Sequence, residues 1–148
     1  MAFLSGLLSI ALLSFLSGYL FNVPYLLHAP HDALIAAVVM FVMTGGMHLA
    51  RPRKLTYMIA PWLPYAMALV IITGVMEILL GICLLFPATQ YYAAWALTLL
   101  LIAMFPANIY IAVKQLPAPG GLPAKSWYTW SRLAFQPVYI GWIWWSIL

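Results

Sequence analysis

Apolar residues run along this chain in long blocks, divided by short polar or proline-rich stretches. About 20 apolar residues make one bilayer crossing as a helix. On that measure five spans are predicted: Ala2 to Phe21, Ala33 to Ala50, Leu63 to Phe86, Tyr91 to Val113 and Trp127 to Leu148. The dividers are "NVPYLLHAPHD", "RPRKLTYMIAPWLP", the tight turn "PATQ" and the proline-glycine loop "KQLPAPGGLPAK". So many crossings leave no room for a separate soluble domain, and residues 1–148 are read as one all-α bundle without internal repeats.

The first block could also be a secretory signal. Such a signal usually carries positive charge before its apolar core, and "MAFLSGLLSI" carries none. Small residues at helical spacing (Ser5 and Ser9, Ser14 and Gly18) suit close packing in lipid, so a retained helix is expected.

Composition supports the membrane reading. Of 148 residues, 67% are hydrophobic and 5% charged, whereas soluble domains devote about a quarter to charge. Too few polar side chains exist to cover a core in water, so lipid must do so. The net charge of +4 does not indicate nucleic acid, because the cations are few and sit at the ends of apolar blocks. They read as topology signals instead. Arg51, Arg53 and Lys54 follow the second block, and Lys114 and Lys125 follow the fourth. With five crossings these loops share one side, the cytoplasmic side. The expected orientation is N terminus inside and C terminus outside a bacterial cytoplasmic membrane, with Trp142, Trp144 and Trp145 as an outer aromatic belt. A single cysteine, Cys83, excludes an internal disulfide and is expected to pack.

Glu77 sits among aliphatic residues, where a carboxylate costs several kcal/mol unless it faces a partner or water. Thr73, Gly74 and Gly81 share its helical face, so a neighbouring helix can come close. Two readings stand: a buried pair that ties helices together, or a ligand or proton group. Arg132 is the natural partner, with Gln136 one turn further along, although it could instead snorkel to the inner headgroups. Asn108 lies just past Pro106, which should free the carbonyl of Ile102 and kink the helix. His48 ends the second block at a depth similar to Asn108 and Arg132, so these three are expected in one polar layer.

No nucleophile motif, phosphate loop or dinucleotide fingerprint occurs. Haem is not expected, because His28 and His31 lie in an outer loop while His48 lies at the inner end. A metal is not expected either, since His28, His31 and Asp32 form only a short surface cluster.

The stretches "TGGMHL", "TGVMEILLGICLLFPAT", "AAWALTLLLIAMFPANIYIAV" and "RLAFQPVYIGWIWW" together resemble the DoxX-like membrane proteins over about two thirds of the chain. The resemblance implies a four-helix membrane core, here preceded by an extra N-terminal span. It also implies one intramembrane site made by His48, Glu77, Asn108, Arg132 and Gln136. Two features depart from the family pattern: the block Ala2 to Phe21, and "LARPRK" after the histidine. Three functions are then in play. The first is an accessory or ligand-binding subunit for a membrane redox partner, holding a quinone or other amphipath. The second is a structural or assembly protein, including a homo-oligomer, whose polar network only sets helix register. The third is a proton-coupled transporter or enzyme.

Overall fold

Prolines open helices in this chain more than they end them. The computed structural model describes residues 2–117 and 125–148. It contains α1 (Ala2–Phe21), α2 (Ala29–Ala50), α3 (Ala66–Cys83), α4 (Pro87–Lys114) and α5 (Ser126–Ser146), with single 3-10 turns at Pro24–Leu27, Pro52–Lys54 and Thr56–Met58. Helix α2 starts four residues before the expected Ala33 because Pro30 lies in its first turn. Likewise "PATQ" is the first turn of α4 rather than a connection. Proline at a helix start has the right φ and lacks an N–H that would go unpaired anyway. The true turn is Leu84 to Phe86, fastened where Thr89 donates its hydroxyl to the Cys83 carbonyl at 2.8 Å.

At its other end α3 begins three residues later than expected. Pro64 disfavours helix at Leu63, and Tyr65 takes a left-handed backbone (φ 59°) that redirects the chain into the helix. The expected proline-glycine loop falls largely on residues 118–124, outside the described residues.

Four helices, α1 to α4, are long and apolar enough to cross a membrane. The expected count was five. Helix α5 has the length, 21 residues, but Arg132, Gln136 and its serines make it less apolar. It nevertheless runs alongside the others. Helix α2 packs on α3, α3 on α4, α4 on α5, and α5 back on α2, closing a four-helix ring, while α1 lies outside against α2. Much of the outer surface is apolar, with Leu12, Leu13, Leu79 and Leu99 exposed, as lipid contact requires.

The interior has two parts. At one end Leu34, Ala37, Leu84, Ala94, Leu97 and Ile143 form a tight core, with Cys83 packed on its edge. At the basic end Leu55, Met58, Val70 and Ile111 form a smaller one. A cavity separates them.

The expected aromatic belt is partly internal. Trp145 is exposed, but Trp142 donates its indole N–H to the Ala33 carbonyl at 2.9 Å and Trp144 donates to Thr98 Oγ1 at 3.2 Å. These bonds tie the end of α5 to α2 and α4. Trp142→Phe should therefore lower stability by about 1 kcal/mol, the net worth of one such bond. Thermal unfolding in detergent measures this, and an unchanged midpoint would show that the bond contributes nothing.

Asp32 also departs from expectation. Instead of joining a surface cluster it is buried in the first turn of α2, where Ser14 of α1 donates to Oδ1 at 2.5 Å. The early start of α2 turns it inward, and a helix N-terminus favours a carboxylate there. His31 stacks on Tyr25 beside it, with ring centroids 4.0 Å apart.

Candidate functional site

Two glycines decide where the polar groups meet. A Cβ on Gly45 would lie 2.5 Å from the Gly74 carbonyl oxygen, and one on Gly74 would lie 2.6 Å from His48 Cβ. Only bare backbone permits α2 and α3 to cross this closely. The crossing sets His48, on the last turn of α2, beside Glu77 of α3, with His48 Nδ1 3.5 Å from Glu77 Oε2. That is ion-pair range but not hydrogen-bond geometry, so neither atom has a hydrogen-bond partner among the described residues. Both side chains are buried, Glu77 with 5% exposure.

Arg132 was expected to be the partner of Glu77, and it is not. Its Nη2 donates to Asn108 Oδ1 at 3.2 Å. Depth explains part of this. At about 1.5 Å per residue, Glu77 lies roughly 16 Å along α3 while Arg132 lies roughly 9 Å along α5. The glycine crossing supplies the rest by bringing His48 to the acid first.

From Arg132 a relay of donors runs inward. Asn108 gives its amide N–H to Gln136 Oε1 at 3.5 Å, and Gln136 gives its own to the carbonyl of Leu101. That carbonyl precedes Ile102, whose bond Pro106 removes. A side chain of the neighbouring helix thus bonds the backbone one residue from the carbonyl that the proline frees. Each amide in the relay is held by the next, and Arg132 Nη1 is left buried and unpartnered among the described residues.

All five expected residues, His48, Glu77, Asn108, Arg132 and Gln136, line one cavity of about 380 Å³. His48 and Glu77 form one polar wall on α2 and α3. Asn108, Arg132 and Gln136 form the other on α4 and α5. Between them the surface is apolar and soft: Met40, Phe41, Met47, Met58 and Met104. Methionines fill irregular space and adapt to what enters it.

Among the lining groups not foreseen are Tyr128, Tyr139 and Phe3. Tyr128 and Tyr139 were legible as part of one α5 stripe, Tyr128, Arg132, Gln136 and Tyr139, at helical spacing. Phe3 had no such signal. It belongs to α1, and its ring packs 4.7 Å from Tyr139 and 5.6 Å from Phe41, closing the cavity from outside the ring of four helices.

At the basic end Tyr57 donates to the Pro117 carbonyl at 2.6 Å. Burial pushes its phenol above the ordinary tyrosine value, against the pull of the Arg132 guanidinium, so the hydroxyl keeps the proton it donates.

Among the described residues no group of three or more His, Cys, Asp or Glu side chains could hold a metal. The cavity instead offers hydrogen-bond donors, an acid beside an imidazole, and an apolar channel between them. That set can orient an oxygen-bearing head and exchange a proton with it.

No curated protein and no solved structure matches the chain. Residues 37–147, from within α2 to just past α5, match the model described as "Domain of unknown function (DUF8561)", and the chain belongs to that family.

Proposed function

We propose that this protein is a small integral membrane subunit that binds an amphipathic ligand by its oxygen-bearing head and serves a membrane redox partner. One observation carries the reading. A mostly apolar cavity within the bundle has donors on one wall and an acid with an imidazole on the other. Apolar pockets with a few convergent polar groups are the usual form of a ligand site.

A quinone is the member of that class whose chemistry uses both walls. Its carbonyl oxygens need donors such as Arg132 and Asn108, and Glu77 with His48 is placed to exchange protons with it. In this reading α5 is a fifth crossing, and the basic loops after α2 and α4 face the cytoplasm of a bacterial cell.

A second reading has one observation in its favour. The glycine crossing and the contact between His48 and Glu77 could serve only to hold α2 on α3, as in an assembly protein.

Mass spectrometry of an organic extract of the purified protein separates the two. The ligand reading expects a stoichiometric amphipath, and Glu77→Gln should keep the fold while reducing the amount retained. A stable protein that yields only bulk phospholipid, or a Glu77→Gln variant that unfolds whether or not quinone is added, supports the assembly reading.

A further inference from the structure

The cavity's acid and its arginine do not meet. The whole chain holds two acidic residues. Asp32 is bound by Ser14 near the opposite end of α2, and Glu77 faces His48. Among the described residues no carboxylate lies within 4 Å of Arg132, whose side-chain partner is the neutral amide oxygen of Asn108.

A guanidinium keeps its charge in proteins. Burying one without a counter-ion is costly, and an arginine this near a membrane surface would ordinarily reach out to the headgroups. This one turns inward. Its Nη1 is buried against the cavity with no hydrogen-bond partner among the described residues. The relay through Asn108 and Gln136 to the Leu101 carbonyl directs the neighbouring amides away from it, so Nη1 is left as an open, cationic donor of the α4 and α5 wall.

Resting on the ligand-binding reading above, we infer that the cavity selects a single-chain amphipath with an anionic oxygen head, a carboxylate or a phosphate monoester, seated on Arg132. The head completes the hydrogen bonding of Nη1, and Nη2 keeps a second hydrogen for a bidentate contact. The chain lies along Met40, Phe41 and Met104. At about 380 Å³ the space is near the small end for ligand pockets, which suits one acyl chain and not two. Glu77 lies on the other wall against His48, so the protein's own acid does not occupy the arginine.

The test uses the full chain in an uncharged detergent, titrated with oleate, oleoyl lysophosphatidate, oleyl alcohol and a decyl benzoquinone. Native mass spectrometry and the shift in unfolding midpoint give the affinities. One or both anions should bind about tenfold or more tightly than the alcohol, the effect of a hydrogen bond to a charged group. Comparing oleate with lysophosphatidate tells which head is preferred. Arg132→Gln should erase the preference for anions over alcohol.

Asn108→Asp provides a variant that does not depend on losing the arginine. It sets a carboxylate 3.2 Å from Nη2, so it should weaken anion binding by about tenfold, and because it gives up only the longer 3.5 Å bond to Gln136 it should lower the unfolding midpoint less than Arg132→Gln does. Equal binding of anion and alcohol, unaffected by either substitution, overturns the inference. Binding of the quinone without either anion overturns it too while leaving the ligand site standing. If none of the four amphipaths binds, both the inference and the ligand-binding reading fall.

Discussion

Asn108→Leu should lower the stability of the bundle by about 3 kcal/mol, the cost of leaving a buried charged donor without its partner. Leucine matches asparagine roughly in size, so the loss would come from bonding and not from shape. Arg132 Nη2 would lose its acceptor at 3.2 Å, and Gln136 Oε1 would lose its donor at 3.5 Å. Lipid chains cannot replace either, because they carry no hydrogen-bonding groups. Chemical or thermal unfolding in detergent reads the change directly. The contrast with Asn108→Asp is diagnostic, since that substitution loses the donor to Gln136 but keeps an acceptor for Nη2, and should cost less than Asn108→Leu. Should Asn108→Leu unfold at the wild-type midpoint, the guanidinium does not depend on this asparagine, and the relay is not what orders the α4 and α5 wall.

Gly45→Ala should cost about 2–3 kcal/mol, while Gly46→Ala, one residue along the same helix, should change stability by less than about 1 kcal/mol. A methyl at Gly45 meets the Gly74 carbonyl oxygen at 2.5 Å and Ile78 Cγ1 at 2.7 Å. The first of these is backbone and cannot swing aside, so α2 and α3 must move apart. At Gly46 the same methyl finds nothing within 4 Å. Separation of α2 from α3 should also loosen the contact between His48 and Glu77, so Gly45→Ala is expected to reduce ligand retention along with stability. Equal midpoints for the two variants would mean that the close crossing does not hold the bundle together.

Particular residues show how much of the site could be read from the chain. The face of α3 carrying Gly74, Glu77 and Gly81 was legible because helical spacing alone sets which residues share a side. The same rule put Arg132 with Gln136 on α5. All five polar residues named from the sequence line the one cavity. Their pairing was not legible. Which base reaches Glu77 depends on how far apart two helix axes lie, and that distance is set by Gly45 against Gly74, on two different helices.

Helix boundaries were misplaced for a local reason. A proline in α2 or α4 looks like a breaker, yet at the first turn it gives up no hydrogen bond. Asp32 followed from that error, since starting α2 early is what turns it toward Ser14. Phe3 was beyond reach altogether. Its helix lies outside the ring of four, and no periodicity within α1 says which neighbour its first turn will meet.

The sequence by itself determined that this chain is all-helical, that its helices are long and apolar enough to cross a bilayer, counted as five where the structure has four that qualify, and that a few polar side chains would have to be sheltered inside. Those outcomes follow from composition and from periodicity within single helices, where the cost of exposing the backbone or a charge to lipid leaves no alternative. Only the tertiary structure decided that Glu77 faces His48, that Arg132 leans on Asn108, and that a cavity lies between two cores. Contacts between helices depend on packing distances of a few ångströms, and those arise from residues far apart in the chain.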